Sequence, residues 1–204
     1  SGVKKVVFSS SAAIYGDNPE SPKRTSMTPR PKTPYGITKL DGEYYLKMYN
    51  DEFGLDSVAL RYFNVFGPRQ DPASQYAAAI PVFINRALKN QPIVIFGDGE
   101  QTRDFIYVSN IVELNAAAAL EDDLNGVFNA AGGEAVSITT IARLIIDTVG
   151  SGSEIVYEDE RPGDIKHSLA DISETVEKLK YRPVCDLGEG LRKTIEYFAG
   201  RFGG

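Results

Sequence analysis

Short, uninterrupted apolar runs recur along the 204 residues of this chain, and between them stand longer stretches with apolar residues three and four apart. A run of about four to eight apolar residues bounded by turn formers reads as a strand buried on both faces, whereas the three-and-four spacing reads as a helix with one apolar side. Val3 to Ser10, Ser57 to Asn64 ("SVALRYFN") and "GVFNAAGG" from Gly126 are the buried strands, with shorter strands in "PIVIFGDG" and "EIVYE". Helices are predicted over 34–53, 77–89, 109–120, 138–149, 172–179 and 187–198. The first opens on Thr33 as N-cap with Pro34 at the first helical position, and Gly54 stops it. Ser109 or Asn110 caps the third. Asp17 to Lys32, with four prolines, and Gly67 to Tyr76 read as loops.

Strands alternating with helices argue for an α/β fold whose parallel sheet is covered on both faces and binds ligands at the carboxyl ends of its strands. The first strand ends in Ser9, Ser10 and Ser11, the second in Asn64, and the third in Asn129 followed by Gly132 and Gly133. Three strands therefore bring polar or glycine-rich ends to one edge. In helix 34–53 the stripe Ile37, Leu40, Tyr44 and Met48 is expected either to pack on the sheet or to form a helical homodimer seam. Roughly opposite stand Tyr35 and Lys39, whose spacing of four puts them about 40° apart, so that both can address one object. A phenol serves as a base near neutrality only when a neighbouring cation favours the phenolate, and a lysine one turn away supplies that cation. The other reading of the pair is two solvated residues on a helix.

Composition narrows the chemistry. A net charge of −6 with interspersed signs leaves no basic stripe, which argues against nucleic acid and anionic membrane as partners. No apolar run approaches the ~20 residues of a membrane span and no signal-peptide pattern opens the chain, so a cytoplasmic location is expected. The single cysteine, Cys185, cannot form an intrachain disulfide, and the single histidine, His167, cannot supply a multi-histidine metal site. Acid–base work is left to Tyr, Lys, Asp and Glu. Between strand and helix there is no G-x-G-x-x-G, and "GDGEQT" at Gly97 lacks both the third glycine and the context.

Five stretches in order, "VVFSSSAAIYGD", "TPYGITK", "RYFNVFGP", "GDGEQTRDFIYV" and "RPGDIKHSLADI", resemble the NAD-dependent epimerase/dehydratase family of extended short-chain dehydrogenases/reductases, and within it the UDP-glucose 4-epimerases and their nucleotide-sugar relatives. The match runs from Val3 to about Phe198. It implies the C-terminal part of a Rossmann-like parallel sheet with a small α/β substrate-binding domain: residues 1–67 belong to the NAD-binding part, 109–133 return to its sheet, and 68–108 with 134–204 hold mainly the nucleotide-sugar. It also implies that a strand, a glycine-rich phosphate loop and further residues precede Ser1, so that the 204 residues alone are poorly active with a sheet edge open.

The same resemblance implies the site. Ser11, Tyr35 and Lys39 form the catalytic set, with Ser10 the alternative for the serine. Tyr35 would take the proton of a sugar hydroxyl as hydride passes to NAD, Ser11 would hydrogen-bond the same oxygen, and Lys39 would favour the phenolate and bind the nicotinamide ribose. The 4-keto sugar then takes hydride back on its other face. Ser9 and Ser10 join the cofactor contacts, and Tyr62 and Phe63 lie against the nicotinamide. Asn64 bonds the substrate, Val94 and Phe96 line the uracil pocket with Ala79 and Ile80 nearby, Arg103 and Arg161 pair with the diphosphate, and Asp164 accepts from a ribose hydroxyl. Ser168 stands where a small side chain leaves room for an N-acetyl group, and His167 beside it reads as a structural or rim residue rather than a catalyst. The implied function is 4-epimerisation of a UDP-hexose by a homodimer. Alternatives are a nucleotide-sugar dehydratase, decarboxylase or reductase of the same superfamily, or a non-catalytic fragment that binds sugar nucleotides. Dehydration needs acidic residues after the serine, where this chain has Ala12 and Ala13.

Overall fold

The computed structural model describes residues 2–73, 78–161 and 166–202. In chain order the elements are β1 (Lys5–Ser11), a 3₁₀ turn (Ala12–Tyr15), α1 (Pro34–Phe53), β2 (Asp56–Tyr62), β3 (Asn64–Phe66), α2 (Ala79–Leu88), β4 (Ile93–Phe96), β5 (Thr102–Tyr107), α3 (Val108–Leu120), β6 (Gly126–Ala130), β7 (Ala135–Ser137), α4 (Ile138–Val149), β8 (Ile155–Glu158), α5 (Ser173–Lys178) and α6 (Leu187–Phe202). They group into two compact units: Ser1–Phe63 with Ser109–Gly133 and Leu169–Val184, and Asn64–Val108 with Glu134–Ser168 and Cys185–Gly204. Leu169–Val184, expected with the substrate part, falls in the first unit because Lys23 and Asp171 bond backbone to backbone and Asn129 holds the carbonyls of both.

The first unit is built on a parallel sheet, β1-β2-β6, of Rossmann type. In its register Ser10 lies beside Arg61 and Arg61 beside Asn129, so the three strand ends form one polar row. Helix α1 has the limits read from the sequence: the Thr33 hydroxyl accepts from the Gly36 amide at 3.1 Å, and Gly54 closes it in the left-handed conformation. The expected sheet-facing stripe is corrected. Ile37, Tyr44 and Met48 are exposed, and the helix buries Gly36 and Glu43 instead. The reason is the closeness of approach: a Cβ on Gly42 would stand 2.3 Å from Cζ of Phe8 on β1, and one on Gly36 3.0 Å from the Ala13 carbonyl. A helix that near the sheet leaves no room for an apolar layer.

The second unit holds β3-β5-β7, in which β3 and β5 are parallel and β7 antiparallel, and the pair β4-β8. Its core packs Ile80, Phe83 and Ile84 of α2, Ile93 and Ile95 of β4, Ile141 and Ile145 of α4, and Leu191, Ile195 and Phe198 of α6. The strands β3, β5 and β7 are additions to the sequence reading. "TRDFIY" carries two charges that interrupt the apolar run, yet Asp104 is fully buried in it. Helix α3 begins at Val108, and Asn110 is not its cap: it is buried, with its carbonyl accepting from the Val184 amide at 3.0 Å.

Two outcomes follow. Alanine in a helix interior is ordinarily worth about 1 kcal/mol over glycine, but at Gly42 the added methyl meets the Phe8 ring. Gly42→Ala should destabilise by about 1–3 kcal/mol, measured by urea unfolding, and Phe8→Leu should recover part of the loss. Burial pushes the Cys185 thiol above its ordinary 9.0. Folded, the thiol stays neutral where the unfolded chain ionises, so its contribution to stability is complete below about pH 9 and is lost as pH rises through the folded value. Disulfide-exchange labelling at about pH 8 should be slow in buffer and reach one equivalent in urea.

Candidate active site

At the carboxyl edge of the first unit's sheet, β1 gives way to the 3₁₀ turn through Ser11, whose hydroxyl accepts from the Ala13 amide at 3.2 Å. That hydroxyl caps the turn, and its own proton points elsewhere. Ser9 lies on the same side of β1, its hydroxyl 3.0 Å from the Tyr62 hydroxyl, which in turn sits 2.7–2.9 Å from the Asn115 amide on α3. Phe63 is buried, 6.2 Å between ring centroids from Tyr15, in a cluster with Ile14, Met27 and Ala170. Its ring belongs to the wall beneath the edge rather than to an open face.

Helix α1 approaches this edge from its N-terminus. Tyr35 is 56 % exposed, and Lys39 one turn on directs its ammonium onto the Ser9 carbonyl at 2.8 Å. The same ammonium lies 5.5 Å from the centroid of the Tyr35 ring and 5.3 Å from that of Phe8. Lys39 therefore joins the tyrosine to the serine strand, a cation held beside a phenol by a backbone oxygen of β1.

One turn deeper is a group the sequence reading did not single out. Glu43 is 6 % exposed and Arg61 on β2 is 3 % exposed. Their contact is bidentate, Nε to Oε1 at 3.0 Å and Nη2 to Oε2 at 2.7 Å. The Ser10 hydroxyl donates to the same Glu43 carboxylate. From its other nitrogen Arg61 donates to the Tyr15 hydroxyl at 3.0 Å and to the Thr25 carbonyl at 3.3 Å. The Tyr15 hydroxyl donates to the Asn129 Oδ1 at 2.6 Å, and Asn129 donates to the carbonyls of Lys23 and Asp171. Burial pulls the Arg61 guanidinium down, but the hydrogen bond to Glu43 and the neighbouring Tyr15 hold it above its ordinary value. Burial pushes the Tyr15 phenol up against the pull of Arg61, so Tyr15 stays a neutral donor. The signal was available: a lone arginine inside "SVALRYFN" breaks a buried-strand pattern, and a buried charge must have a partner.

In the second unit Phe96, Gly97, Asp98, Glu100, Gln101, Glu160, Lys166 and His167 line an open cleft of about 460 Å³. The Arg161 guanidinium lies over the Phe96 ring, 3.7 Å from its centroid. Two residues expected to serve the nucleotide are thus brought together, one covering the other. Val94 alternates with buried Ile93 and Ile95 on β4 and faces partly outward. Ala79 and Ile80 begin α2, whose N-cap Ala78 makes no side-chain cap hydrogen bond. The Ile80 side chain itself is fully buried in the core, and only its backbone can serve a ligand. Asn64 donates to the Asp104 carbonyl at 3.0 Å, and Arg103 to the Thr102 carbonyl at 2.9 Å. The Ser168 amide donates to the Thr102 carbonyl at 3.1 Å, while His167 meets the Thr102 hydroxyl at 3.2 Å on the rim of the cleft. Asp164 lies outside the described residues. Among the described residues no group of three or more His, Cys, Asp and Glu could hold a metal ion, and no helix is long and apolar enough to cross a membrane.

Comparison with known proteins shows the family. The model of the NAD dependent epimerase/dehydratase family matches residues 1–131. A putative UDP-glucose 4-epimerase of Methanocaldococcus jannaschii is 37 % identical over 196 residues, covering 96 % of this chain and 63 % of the relative. Among solved structures, UDP-N-acetylglucosamine 4-epimerase from Methanobrevibacter ruminantium M1, in complex with UDP-N-acetylmuramic acid, is similar at 50 % identity and TM-score 0.92 over 97 % of this chain and 64 % of that one. UDP-glucose 4-epimerase from Thermotoga maritima, with UDP-glucose, is similar at 40 % identity and TM-score 0.90 over 98 % of this chain and 65 % of that one. The chain spans about 63 % of the length of the curated relatives it matches. The stretch that the family model covers carries the serines, the tyrosine and the lysine described above, and the chain belongs to the NAD-dependent epimerase/dehydratase family.

Proposed function

We propose that this chain supplies the proton-transfer edge and the nucleotide cleft of an NAD-dependent 4-epimerase acting on UDP-hexoses, N-acetylated ones included. The observation that carries the reading is the Lys39 ammonium, fixed on the Ser9 carbonyl and set beside the Tyr35 ring at the carboxyl edge of a parallel sheet. NAD, the cofactor of the family, supplies the hydride acceptor and donor when bound. The residues fit its nicotinamide-ribose end: an ammonium has three protons, Lys39 gives one to Ser9, and the others suit a ribose diol.

Tyr35 accepts the proton of the sugar hydroxyl and returns it, with Lys39 offsetting the negative charge on the phenol oxygen. The Ser11 hydroxyl, already an acceptor to Ala13, has its proton to offer the same sugar oxygen. In the second unit, Phe96 receives the base after Arg161 leaves its face, and Arg161 with Arg103 holds the diphosphate. Asn64, Asp164 and the α2 amides at Ala79 and Ile80 complete the ligand contacts, with Val94 beside the base. The turn after Ser11 is Ala12–Tyr15, where two methyl groups stand in place of the acids that dehydration requires. The outward side of α1, with Ile37, Tyr44, Tyr45 and Met48 exposed, is the face proposed for a homodimer seam.

The test is Tyr35→Phe in the full-length enzyme. We expect turnover of UDP-hexose to fall on the order of 10²–10⁴-fold with UDP-sugar affinity within about twofold. Undiminished turnover would refute the redox reading, and sugar-nucleotide binding without any turnover in the parent would favour the non-catalytic alternative. N-acetyl tolerance rests on the small Ser168 and on the N-acetylglucosamine specificity in the name of the 50 % identical neighbour. Ser168→Tyr should lower kcat/KM for UDP-N-acetylglucosamine at least about tenfold relative to UDP-glucose, in a coupled assay of both substrates.

A further inference from the structure

Tyr35, Lys39 and Glu43 follow one another at single-turn intervals along α1, and their burial deepens in that order from an open tyrosine to a sealed carboxylate. At about 1.5 Å rise per residue, Glu43 sits roughly 12 Å along the helix from Tyr35. It touches neither a substrate position nor the phenol. Its bonds run to two strands at once: to the Ser10 hydroxyl on β1 and to both edges of the Arg61 guanidinium on β2. Through Tyr15, Arg61 also holds the turn that Ser11 caps, and through the Thr25 carbonyl it holds the segment leading into α1.

A buried ion pair of this kind is poor evidence for stability, since a well-packed apolar pair of the same volume is often as good or better. What an apolar pair lacks is direction. Five hydrogen bonds of fixed geometry converge on these two side chains and leave the helix one rotation and one height against the strand ends. Elsewhere α1 meets β1 and the turn through Gly42 against the Phe8 ring, Gly36 against Ala13, and the bond of the long, partly exposed Lys39 side chain to the Ser9 carbonyl, none of which is a buried bidentate contact.

We infer that Glu43 and Arg61 are positioning residues: the bidentate pair sets the register of the helix that carries Tyr35 and Lys39 against the strand end and turn that carry Ser11. The inference rests on the reading of Tyr35 as the proton-transfer residue. A displacement of about 1 Å between such groups is enough to cost on the order of 10²-fold in rate, whereas substrate held by the second unit is untouched by it.

The experiment uses the full-length NAD-containing enzyme with Glu43→Gln, which keeps the shape and removes the charge, and Tyr15→Phe, which removes only the hydroxyl that links Arg61 to the turn. Turnover is normalised to folded protein by circular dichroism and gel filtration, with Tyr35→Phe alongside. Expected are a fall of at least about tenfold in kcat for Glu43→Gln and severalfold for Tyr15→Phe, with KM for the UDP-sugar within about twofold in both. A lowered melting temperature with parental kcat per folded molecule would overturn the inference and leave a purely structural pair. If Glu43→Gln does not fold, Tyr15→Phe decides, and unchanged kcat there overturns it. Full activity in Tyr35→Phe would sink the underlying function instead, so the two failures are told apart.

Discussion

A guanidinium and a carboxylate sealed from water constrain everything around them. The penalty for removing each charge from solvent is several kcal/mol, and it is offset only while the partner is in place and the remaining donors and acceptors are used. Arg61 uses its three nitrogens on Glu43, Tyr15 and Thr25, and Glu43 uses both oxygens. To meet that demand α1 must approach β1 and β2 closely, which explains a glycine at 42 and another at 36 where a longer side chain would hold the helix away. It also explains why the loop 16–32, rich in proline and short of regular structure, returns to the sheet: Thr25 and Lys23 lend it their carbonyls.

Chemistry at the strand ends is then a matter of what the anchored scaffold leaves outside. Phe8 and Ser10 turn toward α1, while Ser9 turns to Tyr62 and α3. Lys39 falls between those two sides and takes a carbonyl from the strand itself. Its position is thereby fixed by the sheet ladder and not by a second flexible side chain, which is the condition for a cation to act on a neighbour by proximity. The second unit follows another logic. To hold the proposed dianionic ligand, a protein of net charge −6 would need local cations, and Arg161 and Lys166 stand near its cleft among Asp98, Glu100 and Glu160. Carboxylates so close to cations favour one orientation of an anionic ligand over its reverse.

How much of this was legible differs from element to element for physical reasons. Helix α1 was readable to the residue because its ends are chemical: a threonine cap, a proline and a left-handed glycine. β1, β2 and β6 were readable because each leaves a continuous apolar run, but only β2, between the other two, is buried on both faces; β1 is an edge strand, half-buried along most of its length. β5 was not, since Arg103 and Asp104 interrupt the run and Asp104 is buried through partners that tertiary structure supplies. The stripe on α1 left two readings, packing on the sheet or a homodimer seam, and only the first assumes that the apolar side faces the core. Here closeness of backbones put glycine, lysine and glutamate inward and left Tyr44, Tyr45 and Met48 outside. Tyr35 and Lys39 were visible as a spacing, but Glu43, at the next equal interval, resembled a solvated charge until Arg61 was seen beside it.

The stacked Arg161 and Phe96 carry a consequence for how a nucleotide enters. The aromatic face that would receive a base is already occupied by a guanidinium, so arrival of the base is an exchange and the cation–π contact, about 0.5–2 kcal/mol, is forfeited first. A nucleoside without phosphates gives the displaced arginine nothing in return. A nucleoside diphosphate would offer it two anionic groups to pair with. On the proposed reading, the same side chain would then favour a nucleotide over a free nucleoside, with the aromatic ring as the place where that cation rests beforehand.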